Sequence, residues 1–265
     1  MAGETAKKER LAGEAVAALA ERTTPFRFPR ELLIGLAVFA VAWEVVSWFV
    51  PPFVVPGWQR IFASLVKLPV DYVLITLARV AVALVLSFAL GLAFAVTMYF
   101  SLTFERYARP LVRLVMAVPV ICWILFAVLW FKSVEFRIGF VLVVTCAPVF
   151  LVDILDGMRG VSKDLRDMLR SFRPTRSQYF VKLVLPATMP VIITSWKINV
   201  SLAIRVVTIA ELVGAVTGIG YGLTVAQQLF SIADVFAWTL VLVLILFVTE
   251  GALIAIETRV LRWRA

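Results

Sequence analysis

Six long apolar runs, at about 32–50, 73–100, 110–131, 137–156, 190–213 and 235–257, alternate along the chain with short polar stretches. A helix needs about 20 apolar residues to cross a hydrocarbon core about 30 Å thick. The pattern therefore predicts an all-α integral membrane protein with about six transmembrane helices. One polar stretch stands apart from the rest. Residues 162–190, SKDLRDMLRSFRPTRSQYFVKLVLPATMP, place a charged amphipathic segment between the fourth and fifth runs. Leu165, Met168, Leu169 and Phe172 recur at i, i+3, i+4 and i+7, which puts all four on one helical face, while Arg166, Arg170 and Arg173 point elsewhere. Ser162 is placed to cap this helix and Pro174 to stop it. Two readings are open: a basic helix lying on the inner leaflet, or a docking helix whose apolar stripe fills a groove on a soluble partner.

Composition agrees with the pattern. Of 265 residues 62% are apolar, and mean hydropathy is +0.99, against roughly 45–50% apolar for a soluble domain. Residues 1–31 read as a cytoplasmic tail and 32–265 as one membrane domain that contains the segment 162–186. Lys7, Lys8, Glu9, Arg10, Glu14 and Glu21 interrupt the first 30 residues, so no cleavable signal peptide is expected. An Ala-rich helix is expected at 11–21, ended by Pro25 and Pro29.

The net charge of +9 changes the picture only through its distribution. The cations are scattered between apolar runs with no continuous basic face, which argues against nucleic acid as a partner. With both termini inside, the tail, the 101–113 and 159–182 connections and Arg259, Arg262 and Arg264 hold most of them, while only Arg60, Lys67, Lys132 and Arg137 fall outside. The positive-inside rule thus predicts a multi-pass protein of a bacterial cytoplasmic membrane with segment 162–185 in the cytoplasm. The external connections are Pro51 to Pro69 and the glycine-rich Gly214 to Asp234. Within the latter, Gly218, Gly220 and Gly222 predict a tight, close-packed turn rather than a phosphate loop. Trp43, Trp48, Trp123, Trp130, Trp238 and Trp263 sit near expected span ends as interfacial anchors or packing residues.

Several chemistries are excluded. The chain has no histidine, hence no HExxH-type zinc motif and no metal site is expected. It has no GxxxxGK[ST], so it binds no ATP as a P-loop does. Cys122 and Cys146 lie in apolar runs as small packing residues. The candidate functional groups are instead the ionisable residues inside the runs: Glu44, Arg79, Lys197, Arg205, Glu211 and Glu250. Lys197 and Arg79 are placed to snorkel toward opposite surfaces. Arg205 lies near the middle of the fifth run with Ser201 at i−4 and Thr208 at i+3, a polar stripe that must face protein or water. Its alternatives are an ion pair with Glu44, Glu250 or Glu211, a polar seam between subunits, or a pathway residue favouring anionic substrates. Glu211 is expected to order the loop that follows it.

The order of these pieces resembles the permease subunit of a type I ABC importer, in the branch that takes up nitrate, sulfonates, taurine and related small molecules. The resemblance covers about residues 32–264. Its strongest element is the charged loop, where the family carries Glu-Ala-Ala, three variable residues, a glycine and a final Leu-Pro. Here Asp167-Met168-Leu169, Arg173 and Leu185-Pro186 occupy those places, followed by Ala187-Thr188-Met189-Pro190. Weaker matches follow in the right order: Trp43-Glu44, Val55-Pro56, Leu77 with Arg79, Arg109-Pro110, Val118-Pro119, Trp130-Phe131, Gly157, Ala210-Glu211, Gly218-Ile219-Gly220-Tyr221 and Arg262-Trp263-Arg264. The departures at Met168-Leu169 and Arg173 imply a stiffer, bulkier turn, and with it an unequal half of a heterodimer or a specialised ATPase.

The resemblance implies the type I importer permease fold, with a cytoplasmic coupling helix between spans 4 and 5. It implies a transport subunit that is not itself an enzyme and moves a small solute, with an anionic one in view. Asp164, Leu165, Asp167, Met168, Leu169, Phe172, Arg173, Pro174, Thr175 and Gln178 would meet the ATPase. Ser201, Arg205, Thr208, Glu211 and Glu44 would supply the pathway or intramembrane polar groups. The implied partners are two cytoplasmic ABC ATPase subunits, which use ATP and Mg, a second permease subunit as homodimer or heterodimer, an external solute-binding protein and the lipid bilayer. No cofactor is expected on this chain. The rival reading is a self-sufficient secondary transporter relaying protons or ions through its intramembrane Glu and Arg residues. Such folds often carry inverted repeats, and no internal repeat is visible here.

Overall fold

In the computed structural model, which describes residues 30–260, the apolar runs are helical and the described residues contain no strand. The expected helix at 11–21, Trp263 and the Arg262-Trp263-Arg264 tail lie outside the described residues. The first helix, α1 (Arg30–Phe49), belongs to one compact unit and the chain from Val50 onward to a second. Within α1, which is 20 residues long, Glu44 is half-buried and the apolar stretch Ile34–Phe49 is shorter than the four long apolar helices that follow it.

The second unit contains α2 (Trp58–Lys67), α3 (Val70–Phe100), α4 (Leu102–Ala117), α5 (Val120–Trp130) and α6 (Val134–Arg159). It continues through α7 (Lys163–Ser171), α8 (Arg176–Tyr179), a π-helical turn at Phe180–Val184, α9 (Leu185–Gly214), α10 (Ile219–Gln228) and α11 (Ile232–Val260). Four helical stretches are long and apolar enough to cross a membrane: α3, α6, Ser177–Gly214 and Ile232–Arg259.

The expected span at 110–131 is not one helix. It is broken into α4 and α5, which meet at 93° and together count as at most a fifth span. The cause is local. Val118 is extended and Pro119 sits at the N-cap of α5, so the residue before proline leaves the helical region and proline supplies no N–H to continue the ladder. Upstream of that break α4 is amphipathic, with Ser101 capping it through a bond from Phe104 N–H (3.2 Å). The expectation of six continuous spans therefore becomes four, one broken pair and one shorter apolar helix.

The core lies where α3 and α9 pack against α6. Leu84 and Met98 of α3 and Leu142, Phe150, Ile154 and Met158 of α6 are buried, with Ala203 and Val207 of α9. Phe88, Phe150 and Trp196 bring one ring from each of the three helices together at 5.3–5.4 Å. In a bilayer, acyl chains are as apolar as leucine, so this close packing rather than hydrophobic transfer holds the helices. α2 packs on α11 through the buried Ile61. The mid-helix positions left exposed on α3 (Leu74, Val82, Val85, Leu86, Leu90, Phe94) and α11 (Val243, Leu244, Phe247, Val248, Ile256) are apolar, as a lipid-facing surface requires.

Candidate functional site

The end of the bundle that carries the 162–186 segment is here termed proximal and the opposite end distal. At the proximal end, Leu165 N–H donates to Ser162 Oγ (3.4 Å) and starts α7 as the capping pattern predicts. The helix ends at Ser171, and Phe172 N–H donates to the Leu169 carbonyl (3.1 Å), which tightens the last turn. Leu165, Met168 and Phe172 are 44%, 58% and 76% exposed, with Leu169 half-buried. Among the described residues, three of the stripe's four side chains are thus left exposed. Asp164 and Asp167 are exposed beside it, and Asp164, in the first turn, suits the positive end of the helix dipole.

Arg173 adopts φ +50°, the left-handed backbone that a glycine takes without cost. The turn thus keeps the shape the family's glycine implies while an arginine occupies it. Thr175 and Gln178 bond reciprocally: Thr175 N–H donates to Gln178 Oε1 (3.0 Å) and Gln178 N–H to Thr175 Oγ1 (3.3 Å). This is a capping box that opens α8, so both residues shape the loop. Half-buried Pro174 lies between the two turns.

Just before this loop, Arg159 at the end of α6 pairs with Glu105 of α4, and Glu105 also takes Arg109 at 3.0 Å. Glu105 is buried. The Glu105–Arg109 spacing of four was visible in the sequence, but nothing in the sequence pointed to Arg159, 54 positions away.

At the distal end Arg79 does not snorkel. It is only 9% exposed and holds Glu211, which is fully buried, at 2.7 Å. The other side of its fork takes Glu135 at 2.5 and 2.9 Å, and Nη1 also donates to the Thr217 carbonyl at 2.8 Å. Thr76 Oγ1 donates to Glu211 (2.9 Å) and accepts from Ile219 N–H (3.0 Å), while Gly220 N–H donates to Glu211 Oε2 (3.0 Å). Glu211 therefore orders the following loop, as expected, by binding the first turn of α10 to α3 and α9. Thr76, Glu135 and Thr217 were not singled out from sequence.

The glycines fit that role. Gly218 takes φ +110°, and a Cβ on Gly220 would fall inside the contact shell of the Thr208 carbonyl oxygen. Trp238 is buried against Gly222 and stacks on Tyr72 at 6.1 Å. It is a packing residue rather than an interfacial anchor.

Between the two ends, Lys197 pairs with Glu257 of α11 instead of reaching solvent alone. Ser195 Oγ donates to Asp153 Oδ2 (2.6 Å), and the buried Asn199 donates to the Ser195 carbonyl (2.9 Å), a polar seam between α6 and α9 absent from the expected set. Thr208 is half-buried and its hydroxyl returns to the Ile204 carbonyl (2.8 Å). Arg205 is exposed and makes no ion pair with Glu211, Glu250 or any other described residue. Glu211, one of the carboxylates expected to neutralise it, belongs to Arg79.

A family model for the inner membrane component of binding-protein-dependent transport systems matches residues 86–262. The formylaminopyrimidine transport permease of Halalkalibacterium halodurans is 29% identical over 190 residues, covering 71% of this chain and 76% of that protein. The taurine transport system permease of Escherichia coli is 25% identical over 246 residues, covering 88% and 89%. Among solved structures, the inward-facing MetNI methionine ABC transporter superposes with a TM-score of 0.64 at 19% identity, over 72% of this chain and 95% of that one. That last likeness is one of fold.

Proposed function

The chain belongs to the family of inner membrane components of binding-protein-dependent transport systems, and from that premise we propose how it works inside an importer. It is the transmembrane permease subunit of an ABC importer for a small solute. Energy reaches it from a separate ATP-binding subunit seated on α7 at the cytoplasmic, proximal face. Two such ATPases, each using ATP with Mg, close on two permease subunits, and an external binding protein delivers solute at the distal face, beside Pro51–Pro69 and Gly214–Asp234. Both chain termini lie in the cytoplasm in this arrangement.

The uncovered stripe Leu165, Met168 and Phe172 carries the reading. It is exposed on a short charged helix strung between two membrane-spanning stretches, and a groove on a soluble subunit is the surface it complements. A push on α7 passes through the capping-box turn and the π-helical turn to α9. The distal end of α9 is fixed by the Arg79–Glu211 network, so the motion appears as a tilt of α9. A formylaminopyrimidine permease and a taurine permease among the relatives support a small polar solute.

Phe172→Asp tests the docking. The variant should insert normally, bind the ATPase about tenfold or more weakly and lose uptake, since one anchor in a desolvated groove commonly dominates such an interface. Unchanged solute-stimulated ATP hydrolysis in that variant would remove α7 from the coupling path.

A further inference from the structure

The membrane-spanning helices differ in what they show to their surroundings. Between Leu74 and Phe94 of α3 and between Val243 and Ile256 of α11, the exposed positions are apolar or glycine, and exposed polar residues such as Asp71, Thr97, Thr239 and Thr258 lie nearer the helix ends. The open face of α9 differs. It carries Thr194, Ser201 and Arg205 in register at i, i+7 and i+11, with Ile198 between them. Arg205 lies nine residues before Gly214, the distal end of α9. At 1.5 Å per residue that is a depth of about 13–14 Å, near the middle of a core about 30 Å thick.

Arginine at this depth cannot face acyl chains at tolerable cost, and from there its side chain is too short to reach the interface. Nor does any described residue neutralise it. The carboxylates near the other intramembrane cations are committed, Glu211 and Glu135 to Arg79 and Glu257 to Lys197. The face must therefore meet water or another subunit.

We propose that Arg205 lines an aqueous translocation pathway and selects its charge, so that the solute is a small oxoanion such as a carboxylate or sulfonate. This rests on the permease reading above. A guanidinium presents a planar fork that pairs with two oxygen atoms of such a group. With no carboxylate among the described residues to displace, it exchanges bound water for the solute's oxygens as the solute passes. Ser201, one turn toward the cytoplasm, adds a hydroxyl on the same side. Passage also needs the hold to be weak, and one cation with flanking hydroxyls holds less firmly than a closed cage.

The test reads the sign of the pathway without knowing the solute. Cys122→Ala and Cys146→Ala clear the background, and Ser201→Cys supplies a reporter about one turn from Arg205. The full complex with its ATPase is placed in liposomes and treated with anionic ethylsulfonate or cationic trimethylammonium-ethyl methanethiosulfonate. The anionic reagent should react about tenfold faster or more, because a unit charge at this distance acts with opposite sign on the two reagents. Arg205→Gln should bring the two rates close together, and Arg205→Lys should keep them apart. Thr194→Cys serves as a second reporter if the first perturbs assembly.

Failure of both reporters to react with either reagent would mean a dry contact or lipid, and overturns the proposal. So does a rate ratio unmoved by Arg205→Gln, or an Arg205→Gln complex that no longer assembles, which would assign the guanidinium to an ion pair with a partner's carboxylate. Basal ATP hydrolysis by the Cys122→Ala/Cys146→Ala complex, before a reporter is added, separates the two levels. If it persists while the ratio is insensitive, only the anion assignment falls; if the chain recruits no ATPase at all, the permease reading falls with it.

Discussion

The two ends of α9 are built on opposite principles. At the distal end Glu211 is fully buried with Arg79, Thr76 and Gly220 N–H gathered on its carboxylate. At the proximal end α9 continues from a π-helical turn, a capping box and a helix most of whose apolar stripe is exposed. The first end is complete within the chain; the second exposes apolar side chains that the proposed ATPase would cover. The contrast teaches where motion can enter. A polar network sunk in a low-dielectric medium has few alternative arrangements, because each bond given up leaves an unpaired group. An exposed helix on a short linker has many.

Breaking the distal end should therefore cost the most. Arg79→Leu strands the Glu211 carboxylate and should lower the stability of the detergent-solubilised chain by about 3–5 kcal/mol. The double variant Arg79→Leu/Glu211→Leu should recover part of that loss in a melting experiment. A double variant as unstable as the single would show that the pair is not the source of the rigidity. Next comes Gly220→Ala. Its methyl group would collide with the Thr208 carbonyl and push α10 off α9, at about 1–3 kcal/mol, with uptake falling as the melting temperature falls.

The proximal end should respond with smaller numbers or the opposite sign. Arg173→Gly removes the left-handed strain of an arginine at φ +50°, so it should stabilise the turn by about 1 kcal/mol and leave ATPase association intact. A loss of association would instead give the Arg173 side chain a contact of its own with the ATPase. The smallest stability effect is expected for Phe172→Asp, within about 0.5 kcal/mol, as for exposed sites generally. That variant sharpens the comparison because it uncouples transport without moving the melting curve. If it melted like Arg79→Leu, the two ends would not differ as described.

Much of this was legible in the chain as letters. The apolar runs and the stripe at 165, 168, 169 and 172 announce themselves by periodicity, and their helices form as that periodicity predicts. The break at Val118-Pro119 was present as a pre-proline pair following Arg106, Arg109 and Arg113. Reading 110–131 as one apolar run averaged over it. Arg79 was misplaced for a different reason. Near a helix end its charge suggests snorkelling, and only the fold shows that Glu211, 132 positions away, waits beside it. Glu105 with Arg159, and Asp153 with Ser195, escaped in the same way, since pairing across helices leaves no local pattern. Arg205 was conspicuous from the start. Sequence could not show that Glu211, one of its rival partners, is held by Arg79, or that Arg205 pairs with no described residue.

The π-helical turn at Phe180–Val184 has a torsional consequence. Leu185 N–H reaches the Phe180 carbonyl, five residues back, where an α-helix would reach four. Pro186, next in line, has no N–H to draw the ladder back into step. The turn therefore stores one surplus residue between the lever and the long helix. Absorbing or restoring that residue changes the phase between them by about one helical position, roughly 100° of rotation and 1.5 Å of advance, without uncoiling either side. In the proposed importer the junction is a clutch: it would carry axial load from α7 into α9 while leaving their rotation free to slip by one tooth.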